Sequence, residues 1–393
     1  MLQASEGKRW LYLLNAVILL LFLGLVYSWS NFVKPLEDEF GWVRSQTSLA
    51  FSICMSFFCI GGFVSGLLLK TRPPRQVIFL CGLCVSSGFM LTSRTASLSG
   101  LYVAYGILVG FGIGLAYNCV ISVVVKWFPE KPGLISGTIL MGFGLGGMVL
   151  GTASTAMISS FGWRAAFFRL GVTFCTLIFL SSFFVKAPPK QTVVSNAAKR
   201  EKVSSASMIS QRSFWAFFAW AALLSSAGLA LIGNASPLAI DMGSSLETAS
   251  LFTGVISIFN GAGRVIMGYL CDKAGHRKSM AMISLGFVFA FAIVALALTS
   301  NSLPLLALGY LCGGFSFGGI VPINSAVCYD FYGSENYATN LSIVTFNVLI
   351  ASFLGPFLAA ALQIASGSFI SVAVLMMSFG ALSLLLSLSV RKP

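Results

Sequence analysis

Arg264 is the residue whose chemistry stands out. It lies inside an apolar run at 249–270, eight residues before Asp272, which puts it about 12 Å along a helix from that acid at about 1.5 Å per residue. A cation so deep in a hydrophobic segment is costly and marks a functional position by default. No Asp or Glu lies at similar depth, so the natural partner is an anion that arrives from outside. Asn260 stands one helical turn earlier and shares the face of Arg264, placed to orient the guanidinium or to hydrogen-bond a ligand. The other arginine within an apolar run, Arg169, follows Phe161-Gly162-Trp163-Arg164 near the end of its segment and reads as an interfacial anchor.

Further polar and aromatic side chains suggest a cavity. Tyr27 and Asn31 are four residues apart on one face. Tyr117 and Asn118 follow Gly110, Gly112 and Gly114. Phe315 and Phe317 occupy one later run, and Asn347 another. Tyrosine hydroxyls can donate to a carboxylate while their rings shape an apolar slot, although each such residue taken singly is more often a packing residue. Other candidates carry less. Cys81 and Cys84 form a C-x-x-C inside an apolar run, not in the polar setting that redox or zinc chemistry needs. His276 is the single histidine, so no metal constellation can be assembled. The glycine-rich stretch at 142–147 has neither a preceding strand nor a downstream acid, which excludes a dinucleotide loop.

The elements that carry these residues follow from composition. Of the 393 residues, 57% are hydrophobic and 9% charged, against about 25% charged in soluble domains. The mean hydropathy is +0.91. Twelve runs approach the about 20 apolar residues a membrane helix needs: 10–32, 46–69, 76–91, 101–125, 134–158, 165–185, 213–240, 249–270, 280–298, 303–327, 341–364 and 369–388. The first, preceded by Lys8 and Arg9, is too long for a cleaved signal and reads as an uncleaved helix. If the N-terminus is cytoplasmic, the inner segments hold 18 of the 24 Lys and Arg, the outer loops hold 4, and two lie in helices. The positive-inside rule therefore predicts both termini in the cytoplasm. The net charge of +13 is accounted for by these loops and does not imply nucleic acid.

The longest polar connection, 186–212, contains Pro188 and Pro189 and divides the chain into six-helix halves at 1–185 and 213–393. The halves repeat. Shifted by 202 residues, Ser48-Leu49 meets Ser250-Leu251, Phe57 meets Phe259, Gly61 meets Gly263 and Gly66 meets Gly268. Parallel six-helix repeats are a known transporter architecture with a binding site near midplane.

The sharpest motif is Gly263-Arg264-x-x-x-Gly268-x-x-x-Asp272-Lys273-x-Gly275-x-Arg277-Lys278. It resembles the signature loop of the major facilitator superfamily. Gly268 permits close helix approach, Asp272 is placed to cap or pair across the cytoplasmic face, and Lys273 and Arg277 are placed at headgroup level. In that family the loop stabilises the outward-facing state. The first-half copy keeps Gly66 but has Lys70 in place of the acid. Tyr27-Ser28-Trp29-Ser30 with Pro35-Leu36, Phe40-Gly41-Trp42, Tyr117, Lys126-Trp127-Phe128-Pro129 with Gly133, and Arg264 together resemble the oxalate/formate antiporter family and the monocarboxylate transporters. The resemblance implies that Arg264 binds the substrate carboxylate and that Tyr27 and Tyr117 line the pocket. Two departures stand out. The oxalate carrier's second cation, a lysine in helix eleven, has no equivalent in 341–364, and Asn260 occupies the place of the aspartate linked to proton coupling in animal monocarboxylate carriers.

These readings predict an all-α, multi-pass protein of the cell membrane, of the bacterial inner-membrane type, with the major facilitator fold. It is expected to work as a monomer in the bilayer without a cofactor, moving a small organic anion, a monocarboxylate foremost, by alternating access. An accompanying or exchanged ion or anion is a further expected partner. A carrier of another solute, such as an amino acid, an inorganic anion or a drug, and a non-transporting sensor on the same fold are the alternatives. Gly62, opposite Arg264 in the repeat, argues against a nitrate carrier with paired arginines. The short tails argue against a sensor. No nucleophile, metal set or acid–base pair supports an enzyme.

Overall fold

The computed structural model describes residues 2–188 and 204–392, and every regular element among them is helical. The long helices are α1 (Leu2–Leu23), α2 (Arg44–Leu68), α3 (Pro74–Thr92), α4 (Gly110–Val124), α5 (132–161), α6 (163–182), α7 (Arg212–Asp241), α8 (Leu246–Ala274), α9 (His276–Thr299), α10 (Leu303–Tyr332), α11 (Tyr337–Ser366) and α12 (Phe369–Ser389). A 3-10 turn, Gly24–Ser28, and the helix Ser30–Phe40 prolong α1, and a π-helical stretch, Tyr102–Val109, leads into α4.

Among the described residues, eleven continuous helical stretches are long and apolar enough to cross a membrane. One of them, Pro132–Ser182, has 51 residues. At about 1.5 Å per residue it would reach about 76 Å, more than twice the about 30 Å hydrocarbon core. Gly162 interrupts it with φ 77° and ψ 160°, a conformation that favours glycine. The stretch is therefore two spans, α5 and α6, and the described residues contain the twelve expected. Several helices overrun the hydrophobic runs. The α8 helix continues to Ala274, so Asp272 sits in its last turn and not in a loop. Hydropathy does not register the polar turns with which helices emerge from the bilayer.

The chain forms two compact units. The first comprises Met1–Glu130, Gly142–Glu201 and Ser334–Ile343, and the second Lys131–Met141, Lys202–Gly333 and Val344–Pro393. The unit boundaries thus cut through α5 and α11 as well as the central connection. Of the expected linker at 186–212, residues 189–203 lie outside the described part. A short helix, Ser205–Ile209, follows, started by Ser204, whose side chain accepts from the amide of Ser207.

The sequence repeat has a packing basis. In the first unit α2 and α4 cross at glycines: a Cβ on Gly61 would overlap the carbonyl of Phe111, and one on Gly114 that of Phe58. In the second unit α8 and α10 do the same, Gly263 against the carbonyl of Phe315 and Gly318 against that of Asn260. Small residues let membrane helices approach until backbones touch, which supplies the dispersion and weak hydrogen bonding that hydrophobicity cannot supply in lipid. Interior prolines Pro237, Pro322 and Pro356 break the ladders of α7, α10 and α11.

Candidate functional site

In the second unit, Asn260, Arg264, Gly268 and Asp272 follow one another at four-residue intervals along α8 and form one stripe. Arg264 is 5% exposed and Asn260 6%. The Nε of Arg264 donates to Oδ1 of Asn260 at 3.0 Å, and its Nη1 donates to the backbone carbonyl of Leu140 on α5 at 2.6 Å. A guanidinium has five N–H groups, so three remain without a protein acceptor among the described residues. No carboxylate pairs with it there. The arrangement is an oriented, desolvated cation with part of its fork open, suited to a planar oxyanion.

The rest of the stripe fastens α8 to the start of α5. A Cβ on Gly137 would overlap the carbonyl of Arg264, and one on Gly268 that of Gly133. At the end of the stripe the two carboxylate oxygens of Asp272 accept from the amides of Gly133 and Leu134, at 2.8 and 2.7 Å. Pro132 opens α5, so these are among the amides its first turn leaves unpaired. Asp272 thus caps α5, a favourable place for negative charge. Gly275, at φ 88°, turns the chain from α8 into α9. Lys273 lies over the ring of Tyr269, 5.8 Å from its centroid, and Arg277 is exposed.

In the first unit the matching positions are apolar. Phe58 replaces Asn260, and Gly62 replaces Arg264. Tyr117 packs edge-on against Phe58 and Phe143, at 4.9 and 5.3 Å between centroids, and Tyr27 packs edge-on against Phe143 at 5.2 Å. Tyr27 is 44% exposed and Tyr117 is buried. Asn31 donates to the carbonyl of Gly151 at 3.0 Å, joining the extension of α1 to α5. Asn118 donates to the carbonyls of Gly62 and Ala338, at 2.8 and 2.9 Å. Thr339 donates to the carbonyl of Gly66 at 3.0 Å. Where Lys70 breaks the motif, neutral side chains on α4 and α11 therefore make the fastening that Asp272 makes in the second unit. In the second unit Asn347 is fully buried, accepting from Ser225 at 3.2 Å and donating to the carbonyl of Val344 at 2.5 Å. The ring of Phe317 packs on Gly228 of α7.

The structure thus joins Arg264 with Asn260, and Tyr27 with Tyr117 through Phe143. The hydrogen bonds of Asn31 and Asn118 go to neighbouring helices, and Asn347 accepts from Ser225 of α7 while donating to a carbonyl of its own helix. Arg169 is exposed, with its guanidinium 3.6 Å from the ring centroid of Phe161, as an anchor would be. The sequence reading missed Leu140, Gly133 and Leu134 as partners because backbone groups carry no side-chain signal. It also missed Phe143, the one aromatic residue in the glycine run of α5. A polar cluster near the break between α5 and α6 was missed as well. Glu39 accepts from Nε1 of Trp163 at 2.6 Å and pairs with Nη2 of Arg164 at 2.8 Å. Arg164 also donates to the carbonyls of Ser93 and Thr95.

The model of the Major Facilitator Superfamily matches residues 14–356 and 218–393. The MFS-type transporter YhjX of Escherichia coli is 28% identical over 345 residues, covering 86% of this chain and 84% of that protein. The oxalate:formate antiporter of Oxalobacter formigenes is 27% identical over 343 residues, covering 84% and 80%. The outward-conformation crystal structure of the transporter FucP superposes with a TM-score of 0.76 at 13% identity, over 98% of this chain and 100% of that one, a likeness of fold. Twelve spans in two repeated units, the glycine crossings and the α8 stripe agree with these matches: the chain belongs to the major facilitator superfamily, as a multi-pass transporter of the cell membrane and not an enzyme.

Proposed function

We propose that the protein is a secondary active transporter for a small monovalent organic anion, a monocarboxylate foremost, working by alternating access with both termini in the cytoplasm. The observation that carries this reading is the state of Arg264: buried, oriented by Asn260, held by one backbone carbonyl and matched by no protein carboxylate among the described residues. A carboxylate ligand supplies the missing charge and engages the open part of the fork in two parallel hydrogen bonds, a geometry that a lysine ammonium does not offer. The oxalate:formate antiporter among the relatives supports an organic anion as cargo. The absence of a lysine from 341–364 favours one carboxylate over two.

The same guanidinium bonds α5, so an anion that draws it away from Leu140 loosens the innermost contact of the fastened α5–α8 pair. Binding is thereby connected to the rearrangement that alternating access requires. The test is uptake of labelled formate, acetate, lactate and oxalate into proteoliposomes. A monocarboxylate is expected to accumulate with the wild type, to be carried at least tenfold more slowly by Arg264→Lys, and not to be carried by Arg264→Ala. Wild-type uptake by Arg264→Ala sinks the proposal, and so does an absence of uptake with every carboxylate.

A further inference from the structure

A second basic site lies in the second unit, apart from the Arg264 stripe. A cavity of about 360 Å³ is walled by Ala274, Gly275, Phe331 and Val390, with His276, Arg277, Lys278 and Lys392 also at its surface. His276 is committed elsewhere: its Nε2 pairs with Asp330 at 3.0 Å and its Nδ1 lies 3.1 Å from Sγ of Cys271. Arg277, Lys278 and Lys392 form no ion pair among the described residues. Like charges gathered at one surface repel one another. They are held together here by covalent and packing constraints that do not depend on their charge. Gly275 turns the chain so that Arg277 and Lys278 open α9. The segment after α12 is tied to the start of α7, where Ser213 donates to the carbonyl of Arg391 at 2.6 Å and accepts from its amide at 3.0 Å. That tie sets Lys392 at the wall of the cavity.

We propose that this cavity binds a phosphate group, and that the source is the headgroup of an anionic glycerophospholipid. The three cations supply the charge, and the arginine fork adds directional hydrogen bonds to phosphate oxygens. The volume accommodates a glycerophosphate, and the apolar Phe331 and Val390 fit the glycerol and the first methylenes of the acyl chains. The walls are the ends of α8, α9, α10 and α12, the depth at which helices leave the hydrocarbon and lipid phosphates lie.

The test uses the whole purified chain in a neutral detergent. Thermal stability is followed while phosphatidylglycerol, phosphatidylcholine, inorganic phosphate or glycerol 3-phosphate is titrated. The variant Lys278→Gln/Lys392→Gln is compared with the charge-matched control Lys70→Gln/Arg72→Gln in the other unit. Phosphatidylglycerol is expected to raise Tm and phosphatidylcholine to do much less. At about fivefold per cation, the half-saturating phosphatidylglycerol concentration should rise about 25-fold in the double variant and stay near wild type in the control. If inorganic phosphate or glycerol 3-phosphate protects as well as the lipid, and with the same dependence on Lys278 and Lys392, the site is upheld with a soluble source and the lipid assignment falls. Equal losses in the variant and the control, or no loss in the variant, show diffuse surface electrostatics and overturn the site, as does the failure of every probe to bind. The outcome is independent of transport, so it stands or falls separately from Arg264.

Discussion

Replacing Asp272 by Asn tests the capping of α5 with almost no change in shape. The carboxylate accepts from two amides, Gly133 at 2.8 Å and Leu134 at 2.7 Å. Asparagine retains one acceptor oxygen and turns the other position into an NH2 group facing an amide donor. One bond to a charged group, worth about 1.5–3 kcal/mol, is lost, and the other falls to the neutral value of about 0.5–1.5 kcal/mol. Asp272 is partly exposed, and water takes up part of the deficit, so about 2 kcal/mol is a sound figure for the net loss. That corresponds to about a 30-fold shift in the equilibrium between the fastened and released start of α5. Hydrogen exchange reads this quantity directly. In the protein reconstituted in nanodiscs, the amides of Gly133 and Leu134 should exchange about 30-fold faster in Asp272→Asn, while those of the α2–α4 crossing keep their wild-type rates. Asp272→Glu should fall between, because its longer side chain keeps the charge but displaces the oxygens. A change of less than threefold at Gly133 and Leu134 would refute the view that the carboxylate fastens α5 to α8.

The equivalent crossings in the two units should respond alike to an added methyl. Gly61→Ala and Gly263→Ala each place a Cβ against a carbonyl oxygen, and the overpacking costs about 1–3 kcal/mol. Comparable falls in Tm are expected, and a silent substitution at either glycine contradicts the close approach there. The Glu39 cluster predicts a pH effect. The hydrogen bond from Arg164, then that from Trp163, holds the Glu39 carboxyl below its ordinary value of 4.5. A lowered folded value means that its stabilising contribution is complete above about pH 4.5, where the unfolded chain is also ionised, and is lost as pH falls through the lower folded value. The Tm of Glu39→Gln should therefore lie below that of the wild type at pH 6–7 and converge with it in acid. Because the carboxylate is 42% exposed the difference is small, and a gap that widens in acid contradicts the ion pair.

Much was legible before any coordinates. The apolar runs dictated a membrane protein because lipid requires long helices whose backbones bond internally. The spacing of Gly61, Gly66, Gly263 and Gly268 showed the repeat because backbone approach in a membrane is reserved for small residues. Arg264 was conspicuous because a buried cation is too costly to persist without a purpose, and Asn260 followed from its helical spacing. Other features became visible only when the chain was folded. The break at Gly162 is a conformation that the residue permits but does not announce. The uses of Asn31, Asn118 and Asn347 depend on which polar groups come within reach, carbonyls for the first two and the Ser225 hydroxyl for the third, and a polar side chain in an apolar helix is equally suited to a ligand or to another helix. The sequence by itself determined the twelve spans, the family motif and the identity of the buried cation, since these rest on transfer energies and local periodicity, which belong to each segment alone. The tertiary structure decided that Arg264 is held by the carbonyl of Leu140 and Asp272 by the amides of Gly133 and Leu134. Those partners are backbone groups that every residue possesses, more than a hundred positions away along the chain, and only the packing of α5 on α8 selects them.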